Sequence, residues 1–525
     1  MRSPSKTFAG AKLIAVTVLL CTIQFGEAFT VTQLIPYAAF LVKFHLGLDK
    51  DSTEPKIGLY VGLLIAIFSA AQFPSSYTWG RFADVKGRRP ILLMGLLGTT
   101  LAAVGFALAP SLTWCFVARA VAGLLNGNLG VVKTYLAEVV PARQQARAFA
   151  GVSMSFSVGL VAGPLLGGVL VADHDLYDGR SPETFLERFP FAIPNLVAAA
   201  IAFLAFLTAL FLLPETPSFL MLNDPSFQEE QETTEAEEKH VVVTDLGSNQ
   251  ELRISVIQYA LCALLFIVVQ TCFPLFAQLP RADSPGRHSG LAWDEQRIGL
   301  VLGCGGLGLF LSLTFVIPRV IARIGCVRTF SRALIPLALS LLIVPVAFEA
   351  SSGRLYRPEN TTTAAVVCAL SFLLLFASGG GCFTSVMMLI NNTVPDAQKG
   401  TANGIAQAAT SFARCVGPLV GAAIYQWTLS REKRWLRDDK WWAFFPLTNR
   451  WQFSLLGVLI ALTAFLLQRR LPRHCDVPFD ERASYRPRTD SSSNLVEIDV
   501  DVLDDRRVDK PLLLGHREEP RYGAV

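Results

Sequence analysis

Twelve stretches of about 20 or more apolar residues, separated by short polar segments, dominate this chain. Each is long enough for a helix to cross a hydrocarbon core of about 30 Å. Lipid offers backbone N–H and C=O groups no partners, so such a chain must satisfy them within helices. The expected fold is an all-α membrane protein, with spans at 12–41, 57–79, 90–109, 112–138, 146–171, 191–213, 253–279, 296–323, 329–348, 362–392, 400–427 and 451–470. Only 17% of the 525 residues are charged, against roughly a quarter in soluble proteins. The net charge of +4 forms no basic stripe interleaved with aromatics, which excludes nucleic acid as a partner.

An even number of crossings puts both chain ends on one side. Arg81 to Arg89, Arg143 to Arg147 and the turn carrying Arg319, Arg323, Arg328 and Arg332 share that side, which the positive-inside rule makes cytosolic. The start (Arg2, Lys6, Lys12) belongs to an uncleaved first helix. The loop Arg431 to Arg450, basic but on the outer side, disagrees; its Trp435, Trp441 and Trp442 fit an interfacial segment. The order is a first half (1–213), an acidic cytosolic linker (214–252), a second half (253–470) and a polar, disordered cytosolic tail (471–525). Asn360-Thr361-Thr362, on the outer side, is a glycosylation sequon. In the tail, Asp509 to Leu514 fits an acidic dileucine sorting pattern. The cell membrane is the first expected location and the vacuolar membrane the second.

The two halves repeat. Val140-Pro141 and Gly163-Pro164-Leu165-Leu166-Gly167 recur as Val394-Pro395 and Gly417-Pro418-Leu419-Val420-Gly421 at one constant offset of 254 residues. Helix five thus corresponds to helix eleven. Two similar six-helix halves around a midplane site are what alternating access by rocking requires.

Four local patterns carry chemistry. Trp79 to Arg89, read as a short cytosolic turn, sets Gly80, Asp84 and Gly87 among four basic side chains, Arg88 one of them. Arg119 lies in helix four, followed by Gly123 and Gly127. A bilayer-buried arginine needs a partner, and Glu27 of helix one is the nearest carboxylate by depth. Gly159, Gly163, Pro164, Gly167 and Gly168 in helix five permit tight packing and a bend. Gln24, Asn126, Lys133, Gln270, Gln407 and Arg414, with Gln33 and Asn128, are further intramembrane polar groups, some of which must face a central cavity. Two arginines and a lysine against one deep carboxylate favour an anionic or polar organic substrate.

The loop around Gly80 and Asp84 resembles the signature loop of the major facilitator superfamily. That resemblance implies a fold of two pseudo-symmetric six-helix halves, with Asp84 near the start of helix eleven (Gly400-Thr401-Ala402) holding the cytosolic side closed. It extends to Arg119, tied in proton-coupled antiporters to proton transfer, and to the helix-five glycines, which resemble the antiporter signature. Asn126 to Thr134 with Glu138, and Gly163 to Gly168, resemble the zinc-induced facilitator-like branch of plants and fungi. Val85, Ala150 and the missing N-terminal cysteine pair depart from that branch.

The ten cysteines fall singly, as packing residues, without any CxxC or His/Cys cluster, and the six histidines lie outside the membrane helices or at their ends. No metal site or cofactor is expected, and no phosphate-binding loop that would make ATP the energy source. The expected function is a monomeric secondary transporter exporting a small organic molecule, a drug, metabolite or organic anion, by proton antiport, with Glu27 titrating as Arg119 moves. Uptake by symport or facilitated diffusion, and a non-transporting membrane sensor, are the alternatives. An enzyme is not expected, since no nucleophile–base pair occupies a plausible cavity.

Overall fold

The computed structural model describes residues 11–49, 52–140, 142–171, 184–216, 249–280, 290–351, 361–394, 399–435 and 451–476. These residues are helical, with no strand among them. The first half contains α1 (Ala11–Thr32), α2 (Ala38–Leu46), α3 (Lys56–Lys86), α4 (Arg88–Ala107), α5 (Leu112–Leu125), α6 (Asn128–Val139), α7 (Ala142–Val169), the one-turn α8 (Phe185–Arg188) and α9 (Ala192–Leu212). The second contains α10 (Gln250–Ala277), α11 (Glu295–Leu311), α12 (Ile317–Ser351), α13 (Thr361–Asn392), α14 (Lys399–Trp435) and α15 (Trp451–Gln468). Nine stretches of the described residues are long and apolar enough to cross a membrane. One of them, Glu295–Pro345, holds two crossings that bend at Gly325 (φ +79°); with α14 and α15 they complete the expected twelve.

Several expected boundaries move. The first crossing ends at Thr32, and a turn leads into the separate α2 rather than one helix to residue 41. Crossing four is broken in two at Asn126-Gly127. The segment read as a turn from Trp79 is helix as far as Lys86; only Gly87, at φ +94°, breaks it, in a backbone region that glycine enters without cost. Crossing eleven continues to Trp435, into the basic stretch read as a loop. Asn360, the remainder of that loop, nearly all of the linker and the tail beyond Asp476 lie outside the described residues, as do His174, His240, His288 and His516.

The repeat in sequence is a repeat in packing. Helix α7 lies against α1 of its own half and α11 of the other, and α14 lies correspondingly against α10 and α3. Apolar side chains sort into three cores. One draws on both halves at the end of the bundle opposite Arg81 to Arg89, through Tyr37, Phe40 and Ile57 with Phe273, Trp293 and Tyr425, and continues within the second half as far as Leu252 and Ala402. The other two lie at the basic end, one per half: Leu20, Leu92, Val132 and Ala209 in the first, Ile254, Cys326, Leu389 and Cys475 in the second. The halves are therefore sealed together at one end and parted at the basic end. Gly80, Gly130 and Gly404, near that end, face open space.

Candidate functional site

The break in crossing four places two amides on one carboxylate. Asn126, at the end of α5, donates from Nδ2 to Glu27 Oε2 at 2.5 Å, and Asn128, at the start of α6, donates to Oε1 at 2.8 Å. A continuous helix would turn two residues this close in sequence about 200° apart, so the break is what lets both point at α1. Room for it comes from neighbours: the absence of a side chain at Gly95 admits the Asn128 amide, and that at Gly127 admits the Trp79 ring, whose Nε1 donates to the Leu124 carbonyl at 2.7 Å. Glu27 is 4% exposed and Asn128 fully buried. The carbonyl oxygens of both amides, and Oε1 of the buried Gln24 three residues before Glu27, are buried without a partner.

Arg119, 6% exposed, does not pair with Glu27 in this conformation. Its Nε donates weakly to the Leu64 carbonyl at 3.4 Å, and its guanidinium lies 4.6 Å from the Phe68 ring centroid. The remainder of its edge faces a small cavity lined by Gln33, Thr99, Ala102 and Asn195. Gln33, Asn195 and Tyr37 close a triangle of hydrogen bonds of 2.7–3.0 Å beside it. Depth along the helices brought Arg119 and Glu27 together on paper; direction around α5 separates them.

Of the expected cavity groups, Lys133 on α6 and Arg414 on α14 lie within electrostatic reach of one another across the opening, and Tyr259 of α10 within reach of Arg414. Lys133 is exposed on the face that also carries Gly130 and Thr134. The contacts do not join Gln270 or Gln407 to this pair, and Asn126 is committed to Glu27. The helix-five glycines serve two neighbours: side chains at Gly159, Gly163 or Gly167 would strike α1 from Phe25 to Thr32 or Gln33 just after it, and one at Gly168 would strike the Glu295 backbone on α11.

At the loop, Arg88 pairs with Glu138 (Nη2 to Oε1, 3.0 Å) and donates to the Ala83 carbonyl. The Asp84 side chain lies outside the described ones, and Gly80 touches nothing in the second half. Sequence reasoning missed two carboxylates here. Glu215, just after α9, accepts from the Arg88 N–H at 2.8 Å and sits against Gly87; Asp476, just after α15, accepts from the Val327 N–H at 2.8 Å and sits against Gly325. Each caps a helix start beside a glycine of positive φ. The signal was present as an acid following the last crossing of each half.

Comparison with known proteins agrees with this architecture. Residues 20–288 and 259–491 match the family described as Major Facilitator Superfamily. The chain is 27% identical to the protein ZINC INDUCED FACILITATOR 1 of Arabidopsis thaliana over 465 residues, covering 85% of this chain and 91% of that one. It is 25% identical over 484 residues to a major facilitator superfamily multidrug transporter of Aspergillus fumigatus, covering 78% and 77%. The crystal structure of a D-xylose-proton symporter superposes with a TM-score of 0.65 at 15% identity, over 89% of this chain and 99% of that one.

Proposed function

Because this chain belongs to the Major Facilitator Superfamily, whose members carry small solutes across membranes and are not enzymes, we propose that it exports a polar or anionic organic molecule in exchange for protons. The observation that carries the reading is Glu27, buried and held by two amide donors. That arrangement suits a carboxylate; a protonated carboxyl needs an acceptor for its own hydrogen. The unpartnered carbonyl oxygens of Asn126 and Asn128 supply one if either amide turns over. Protonation therefore rewrites the contact between α1 and the break in crossing four, and such a change of contacts can bias one orientation of the halves over the other.

The parted ends face the cytosol in this reading, as do both chain termini, since the short basic segments cluster there. Lys133 and Arg414 give that opening a positive lining that selects anionic or strongly polar molecules. Export rather than uptake is supported by the helix-five glycines and by the fungal relative named a multidrug transporter. The cell membrane is the proposed location. The test is transport by reconstituted vesicles with pH gradients of both signs, using a panel of labelled organic anions, cations and neutral dyes. Antiport predicts accumulation in the acidic compartment; accumulation against the opposite gradient overturns it in favour of symport.

A further inference from the structure

Two small cavities lie against α1 within the first half, lined by α1, α4, α5 and α9 and, among the described residues, by none of the second half. The first, about 20 Å³, is bounded by Arg119, Gln33 and Asn195. The second, about 10 Å³, is bounded by Glu27, Gly26 and Ala202. One residue with a hydroxyl, Thr99 of α4, lines both. A water needs roughly 10–15 Å³ and two or more polar neighbours. The first cavity offers both, and the second is at the lower limit of size with Glu27, Thr22 and Thr99 as its polar walls.

Resting on the reading of Glu27 as proton carrier, we infer that Thr99 is the relay of a hydrated track by which protons reach Glu27 from the side of Arg119, separately from the substrate. A buried guanidinium with one weak hydrogen bond and a ring face as neighbours requires solvation, and water in the first cavity provides it. The adjacent Thr100 hydroxyl is spent on the Leu96 carbonyl at 2.9 Å, whereas Thr99 lines both cavities. A hydroxyl accepts one hydrogen while donating another, so it passes a proton from the first cavity's water to that of the second without a net change of its own. The final transfer converts the Glu27 carboxylate to a carboxylic acid; Arg119 keeps its proton throughout.

Of the helices packed on α1, α9 brings no titratable side chain, α6 brings Lys133, Tyr135 and Glu138, and α7 brings Arg143 and Arg147 near its start at the basic end. Arg119 on α5 is then the charged group at the far end of the track. The separation matters chemically: a carrier whose ion and substrate arrive by different routes need not clear one to admit the other.

The test reads Glu27 itself and needs no substrate. Purified full-length protein in lipid nanodiscs receives a rapid acid step while infrared absorption of protonated carboxyl groups is followed in time. A carboxyl signal that Glu27→Gln abolishes supports the underlying reading; a signal unchanged by Glu27→Gln overturns it. Thr99→Val, which keeps shape and removes the hydroxyl, should slow that signal by about tenfold or more, and Thr99→Ser should restore it. Ala202→Val, which fills the second cavity without touching Thr99, should slow it too and stands in if Thr99→Val does not fold. A Glu27 signal that rises at the wild-type rate in Thr99→Val, or in Ala202→Val where that stands in, overturns the track while leaving Glu27 as carrier.

Discussion

The Pro418 carbonyl lies 2.7 Å from the point where a side chain on Gly62 would begin, so α14 and α3 meet there backbone to backbone. The other half mirrors this: the Pro164 carbonyl presses on Gly299, joining α7 to α11. Both contacts lie towards the sealed end. Proline in each crossing removes a backbone donor and bends the helix, and glycine on its neighbour lets the bend be approached.

Widening that approach should unseal the end. Gly62→Val places its side chain against both the Ala422 methyl and the Pro418 carbonyl, an overpacking of about 1–3 kcal/mol. That is enough to shift the balance of orientations by about fivefold or more. Thiol labelling of Tyr425→Cys, at a position that packs on Gly58 in the same seam, should rise from the sealed side when combined with Gly62→Val; unchanged labelling refutes the role given to the seam.

Glu27→Gln should abolish accumulation driven by a pH difference while leaving substrate exchange at equal pH in place, because the amide occupies the same space and cannot carry the proton. Counterflow and pH-driven accumulation, measured on one vesicle preparation, separate these. A variant that still concentrates substrate at a wild-type level leaves Glu27 with a packing role.

Removing either cap should cost stability rather than chemistry. Glu215→Gln and Asp476→Asn each take a charged acceptor from a helix start, about 1–2 kcal/mol apiece. The two sites lie in different halves, so their effects on the thermal midpoint of purified protein should add. Losses much larger in the double variant than the sum would instead point to coupling between the halves.

Asp84→Asn tests a state other than the one described. With the basic end parted, Gly80 on α3 and Gly404 near the start of α14 stand in open space. If Asp84 latches the closed form, the amide should lower turnover while the protein still reaches the membrane in normal amount. Turnover equal to wild type would remove the latch.

Selection by charge is what the two cations at the opening are expected to supply. Lys133→Ala and Arg414→Ala should each weaken binding of organic anions by about tenfold or more and leave neutral dyes less affected, read as competition in the same vesicles. Equal losses for anions and neutral molecules would mean that the two side chains shape the cavity without selecting by charge.

The number of crossings, their pairing into halves and the kinship of helices five and eleven were legible because apolar length and a repeated Gly-Pro-Leu-x-Gly survive in sequence as patterns. Legible too were Glu27, Arg119, Lys133 and Arg414, since an ionisable group in an apolar helix stands out. Their partners were not. Hydropathy carries depth but no azimuth, so Glu27 and Arg119 were matched by level, when the side chains that meet Glu27 are Asn126 and Asn128. The break after Leu125 hid inside a continuous apolar run, where Asn126-Gly127-Asn128 was its only mark. Glu215 and Asp476 escaped the repeat because the segments before them differ in length, which destroys a constant offset while preserving the geometry.

One core shared by the two halves and two that are private to them give the carrier a thermodynamic preference independent of any ligand. To turn over, the protein must dissolve contacts between the halves such as Tyr425 on Gly58 at one end and build new ones at the other. The difference between those two areas sets how long the empty carrier rests in each orientation. Substitutions among buried alanines and leucines, far from any solute or proton, are thus a means of tuning its speed.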